Sequence, residues 1–244
     1  MALTVTDRGV ASDSTGATTY AITLPQNCTA RAMVVLCLTC DNTGSLGADP
    51  FLAITDSLGN TWTSRVNGLY DPGAANFGLA MRIFTTPQNA GALTTSDTIT
   101  IDFGAFSVPA KACALFEITS TGGAPLYVTG AAGAGGASNA PSIATGTIGI
   151  GNAVIGFAGC ESGTDDWVED ADTTNGAWST HQHTGVGTGA AGAALTAQSK
   201  VVTASGVQTY DPTKTTIVDV MPSWIEIRES LLDGGMGLGL GIGL

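Results

Sequence analysis

The chain has 244 residues, of which only 11% are charged, with 20 acidic side chains against 8 basic ones and a net charge of −12. Phosphate neutralisation by Lys and Arg supplies most nucleic-acid affinity, so this balance excludes direct DNA or RNA binding and disfavours anionic membrane surfaces. A hydrophobic fraction of 43% with so little charge also excludes wholesale disorder, and 34 glycines point to many tight turns.

Strand signals follow one another along the chain. The N-terminus, Met1 to Arg8, lacks a basic segment followed by an apolar run, and no stretch of about 20 apolar residues occurs. We therefore expect synthesis and assembly in the cytoplasm and no membrane span. The first strands read as Thr18–Leu24, Ala32–Thr39 and Phe51–Thr55, followed by Leu79–Phe84, Asp97–Phe103 and Ala112–Thr119. Ala153–Ala158 and Ser223–Glu229 complete the set. Each is short, rich in β-branched or aromatic residues and bounded by turn formers. In Asp97–Phe103, Ile99, Ile101 and Phe103 share one face. No segment holds a 3.6-residue period. The expectation is an all-β antiparallel sandwich, jelly-roll-like, as one domain over 1–232. Two stretches read as loops: the Ala/Gly-rich Gly130–Pro141, and the acidic Glu161–Asp172 with the polar residues that follow it to about Gly189.

Residues 233–244 are expected to form an extended Gly-rich C-terminal arm. Met236, Leu238, Leu240, Ile242 and Leu244 alternate with glycines, so an extended arm has one apolar face and one bare face. Such a segment is expected to dock, by strand addition to its own sheet or to a neighbouring subunit.

Side chains that carry chemistry are few. Cys37-Leu-Thr-Cys40 has the CxxC spacing, but on a strand positions three apart face opposite ways, so we expect buried free thiols, and Cys28, Cys113 and Cys160 leave an odd count. His181 and His183 share a face if extended, and acids at 161, 165, 166, 169, 170 and 172 lie nearby as further metal-ligand candidates, although an exposed polar loop is the simpler reading. Trp167 and Trp178 are candidates for a glycan-stacking platform. Gly187-Thr-Gly-Ala-Ala-Gly192 matches GxGxxG without the strand and helix that would give it meaning. No catalytic motif stands out, and neither a resident cofactor nor a structural metal is expected.

Phe51-Leu-Ala-Ile-Thr-Asp56-Ser-Leu-Gly59-Asn60-Thr-Trp62 resembles a turn common in β-sandwich virion structural proteins of tailed bacteriophages. In the same order, Ser96–Ile101, Ala114–Thr119, Ala153–Ala158 and Pro222–Arg228 resemble later strands of those proteins. The resemblance covers most of 18–229 and is a pattern of strands and turns. It implies a non-enzymatic virion protein, above all a capsid decoration or cement protein. Such a protein would bind the major capsid protein, other virion proteins and copies of itself. A tail or fibre adhesin for host-surface glycans is the alternative. Read without the resemblance, the Asp56 stretch is a turn closed by the Asp56 carboxylate, with Gly59 or Asn60 at positive φ.

Overall fold

A computed structural model describes residues 2–41, 49–73, 78–88 and 91–231. The arm residues Met236, Leu238, Leu240, Ile242 and Leu244 lie outside the described residues. The rest is antiparallel β-structure with one short 3-10 turn at Gly189–Ala191.

The first half contains β1 (Leu3–Asp13), β2 (Thr19–Thr23), β3 (Met33–Asp41), β4 (Ala53–Asp56), β5 (Thr63–Tyr70), β6 (Leu79–Thr85), β7 (Thr98–Asp102) and β8 (Lys111–Ser120). They form an inner sheet in the order β1-β8-β3-β6-β5 and a cap sheet in the order β2-β7-β4. An eight-strand jelly roll pairs 1-8-3-6 against 2-7-4-5. The half has that wiring, with β5 moved from the cap to the open edge of β6.

The second half contains β9 (Gly123–Ala132), β10 (Gly136–Ser138), β11 (Ile143–Ile148), β12 (Ala153–Cys160), β13 (Trp167–Val168), β14 (Gln182–Val186), β15 (Ala193–Val201), β16 (Gly206–Tyr210), β17 (Thr213–Lys214) and β18 (Val218–Leu231). Its inner sheet runs β10-β18-β12-β15-β14, with β9 also along β18. Replacing β1 by the interrupted pair β9 and β10, β3 by β12, β5 by β14, β6 by β15 and β8 by β18 reproduces the first inner sheet strand for strand. The cap repeats as well, in broken form. β11 pairs with β16, and β13 with β17. Asp211 and Pro212 interrupt what is one continuous strand, β7, in the first half, because proline cannot donate to a ladder.

The two inner sheets pack face to face. β1 lies over β14 and β5 over β9, which are equivalent contacts under the strand correspondence, so the halves are related by a pseudo-two-fold. Four layers result: cap, inner sheet, inner sheet, cap. The shared central core includes Val35, Cys37, Met81, Phe116, Ile155, Phe157 and Ile225. Leu36, Leu38, Ile99, Ile101 and Phe103 fill the first half beneath its cap. Val154, Ala158, Trp167, Trp178, Tyr210 and Trp224 do so in the second.

This layering explains the unbroken apolar runs. Every residue of β3 and of β12 is buried, because each strand has a core on both faces. Alternation survives in the first cap, where Tyr20 and Ile22 of β2 and Ile99 and Ile101 of β7 point inward and their neighbours do not. The expected strands are all present, and the expected sandwich is doubled. Gly130–Pro141, read from composition as a loop, instead ends β9 and includes β10 along the edge of an inner sheet. Its glycines allow close approach: an added Cβ at Gly130 would lie 2.6 Å from the Trp224 carbonyl oxygen. The polar stretch after Asp172 likewise contains a strand, β14.

The Asp56 turn closes as its residues dictate. Oδ1 of Asp56 accepts from the Leu58 and Asn60 N–H groups at 2.9 and 3.1 Å, and Gly59 takes φ +70°. Oδ2 accepts from Trp62 Nε1 at 2.7 Å, so one carboxylate both closes the turn and anchors the tryptophan.

Candidate functional site

At one end of the seam between the halves, three carboxyl groups come together. Asp41 is the last residue of β3 and pairs with Leu79 of β6. Glu161 directly follows β12, the counterpart of β3, so Cys40-Asp41 and Cys160-Glu161 occupy equivalent strand ends. Asp219 comes from β18, paired with Ala137. Its carbonyl accepts from the Glu161 N–H at 2.9 Å, which fixes the two residues side by side.

Asp41 is 1% exposed, and both its carboxylate oxygens are buried without a hydrogen-bond partner. Glu161 is 6% exposed, with Oε2 accepting from the Gly78 N–H and Oε1 unpartnered. Gly78 sits at φ +117°, where a Cβ would lie 2.5 Å from the Tyr70 carbonyl oxygen, so only glycine can present its N–H here. Burial, with the nearby Glu161 charge adding to it, pushes the Asp41 carboxyl up to about 7. Burial likewise raises Glu161 to about 7, against the opposing Gly78 N–H and with Asp219 adding to the rise. Asp219 is raised by burial too. No cation contributes to any of the three. Glu161 and Asp219 open into a cleft of about 350 Å³, lined also by Ala137, Ser162, Gly189, Ile217 and Val218.

The residues singled out from sequence lie elsewhere, apart from Glu161. Trp167 and Trp178 do cluster, but they do not form a platform. They are 5% and 8% exposed. The Lys214 ammonium sits 4.6 Å from the Trp167 ring centre, and the Lys200 ammonium 4.4 Å from that of Trp178. Trp178 also meets Tyr210 edge-on at 5.1 Å. Neither indole offers a free face to a sugar, because the broken cap needs large rings to seal the layer beneath it.

His181 and His183 do come together, with ring centres 4.1 Å apart and planes 31° apart. His183 Nδ1 lies 2.8 Å from Asp165 Oδ1, and His181 Nδ1 3.4 Å from Thr196 Oγ1. Burial, and then the His183 charge, lower the His181 pKa. Among the described residues, no group of three or more His, Cys, Asp or Glu side chains is arranged to hold a metal ion.

The acidic loop is internally bonded. Asp166 accepts from Lys214, Thr215 and Thr216. These bonds outweigh its burial and hold its carboxyl well below the usual range. Asp170 accepts from the Asp172 and Asp211 N–H groups. All five cysteines are free and buried. Cys37 lies in the central core and Cys40 beneath the first cap, as strand alternation requires. Burial pushes the Cys113 and Cys160 thiols up to about 12, far from a reactive thiolate.

Asp41 and Asp219 were not visible as site residues in the sequence. The available signal was small: a carboxylate ending a run of buried residues, and one inside the alternating Val218-Asp-Val220. Comparison with protein-family models, with curated proteins and with solved structures gives no match.

Proposed function

We propose that this chain is a non-enzymatic structural protein of a tailed-phage particle, acting as a capsid decoration or cement protein. The observation that carries the reading is the doubled jelly-roll frame. Two inner sheets, whose central strands β3 and β12 are buried on both faces, make a rigid block from which loops and sheet edges project at the ends. The residue types that usually act chemically serve this frame: the cysteines pack in the cores, and Lys111 and Lys214 are buried in ion pairs with Asp13 and Asp166. The resemblance of the strand and turn pattern to phage virion sandwiches supports the same reading. A block of this kind works by shape-complementary contact with shell subunits and neighbouring copies, and repeated contacts across subunit junctions raise particle stability by mass action.

The test is copy number relative to the major capsid protein in purified particles from the source of this chain. Hundreds of copies per particle are expected. A few to several tens would instead favour a tail or fibre role, and complete absence would remove the particle reading.

A further inference from the structure

We propose that residues 236–244 of a second copy of this chain add as an antiparallel strand along the open edge of β9. The pairing is read from two segments of this chain and does not depend on the particle reading. Each inner sheet ends in strands paired on one side only, and a bare edge invites another chain unless charge or cover blocks it. β1, β5 and β14 are guarded. β1 carries Asp7, Arg8 and Asp13, and its Gly9 N–H donates to the Gln182 side chain at 2.9 Å. β5 carries Arg65. β14 carries His183, bonded to Asp165, and is covered by Gly163, whose carbonyl oxygen would lie 2.6 Å from a Cβ at Gly185. β9 has no such guard. Gly123–Ala132 holds no charged residue, and Leu126 and Val128 are 41% and 39% exposed. The pairings of β1, β5 and β9 each contain a register shift, so charge is what separates β9 from the other two.

The arm is the complement of this edge. Leu238, Leu240 and Ile242 stand at alternate positions and can lie beside Leu126 and Val128, extending one apolar face. The glycines between them fall on the other face, where the Arg65 guanidinium stands 4.5 Å from the centre of the Tyr127 ring, and a bare backbone leaves it room. Pro125 has no N–H to donate, so the ladder on offer runs from Leu126 to Ala132. Direction selects a second copy. Leu231 of β18 pairs with Gly123, the first residue of β9. From there the same chain could follow β9 only in the parallel sense, which pairs less stably per residue. The arm of another copy can run antiparallel, and residues 232–235 tether it over about 13 Å. Each copy carries both the edge and the arm, so two copies can exchange arms reciprocally.

The experiment is sedimentation velocity of the purified full chain over a range of concentrations, with amide hydrogen exchange followed at Leu126–Ala132. The chain is expected to associate as concentration rises, and exchange at the outward amides of β9 to slow in step. Deleting residues 236–244 and replacing Leu126→Glu should each weaken association about tenfold or more. Thr63→Glu, a charge of the same sign on β5, should leave it unchanged. Leu126 is partly exposed and pairs with Arg228, so Leu126→Glu keeps the test decisive if the deletion does not fold. A chain that stays monomeric throughout, with fast exchange along β9, would overturn the proposal. Association that survives both changes would place the contact on another surface and overturn it as well. Slow exchange along β9 that is independent of concentration and lost on deletion would make the arm a strand of its own copy, against the proposal. None of these readouts uses a particle, so their failure leaves the copy-number test standing.

Discussion

The two halves share one wiring and solve the same packing problem differently. In the first half, one continuous strand, β7, is paired on both sides, and Tyr20, Ile22, Ile99, Ile101 and Phe103 at alternating positions seal the layer. In the second half the equivalent strand breaks at Asp211-Pro212, the cap splits into two ribbons, and Trp167, Trp178 and Tyr210 fill the space. Indole nitrogens are buried there without partners, and lysine ammoniums lie over the rings. Regular pairing seals its layer with aliphatic, phenyl and phenol side chains set by strand alternation. The broken cap lacks that alternation and relies on two indoles, whose nitrogens are left without partners. The broken half is also the one that carries most of the seam cleft.

The largest expected effect strikes what the halves have in common. A Cβ added at Gly159 would lie 2.5 Å from Thr39 Oγ1 across the seam. Gly159→Val should therefore force the inner sheets apart, costing about 3 kcal/mol and lowering the melting temperature by about 10 °C. An unchanged melting temperature would mean that the sheets are not packed as tightly as described.

Next comes a substitution that sharpens the difference. Counting back from Cys40 and Cys160, Leu36 of β3 corresponds to Gly156 of β12. A Cβ at Gly156 would meet the Tyr210 ring at 2.4 Å, so this glycine makes room for the tyrosine. Gly156→Leu installs the first half's side chain in the second. It should cost about 2 kcal/mol and displace Tyr210, seen as a lowered melting temperature and altered near-ultraviolet circular dichroism.

A smaller effect concerns protons at the seam. Asp41 and Glu161 hold their protons to higher pH when folded than when unfolded. Between about pH 4 and 7 the folded state thus binds more protons, and this contribution to stability, complete below that window, is lost as pH rises through it. Asp41→Asn should flatten that decline and raise the melting temperature at pH 8 by about 3–6 °C. Thermal melts from pH 4 to 8 that decline as steeply for the variant as for the wild type would overturn this. The smallest effect is His183→Ala. Its ring is partly exposed and bonded only to Asp165, so the change should stay within about 0.5 kcal/mol by chemical denaturation.

Much of the fold was legible, because strand signals are local. Ile99, Ile101 and Phe103 reveal their shared face in five residues, and Asp56 and Gly59 reveal their turn. The doubling was not legible. Strands β3 and β12 share burial but few residues: in the same count Val34 matches Val154 and Cys40 matches Cys160, with an acid after each cysteine. Strand β14 is short, polar and half-buried, so neither composition nor period exposed it. The candidate site was readable only at Glu161, since Asp41 and Asp219 join it through sheet pairing between distant segments. Trp167 and Trp178 read equally as a glycan platform or as lids on the sandwich end, because aromatic residues in an acidic or polar stretch look the same whether they seal a layer or decorate it.

The pseudo-two-fold has a consequence of its own. Two copies of a sandwich that associate through their inner sheets must present identical outer faces. Once both are carried on one chain, that obligation ends: one outer face can remain a regular cap while the other breaks, lengthens its loops and gathers carboxylates. The joined chain thus keeps the dimer's geometry yet has a distinguishable front and back, which gives any assembly built from it a direction.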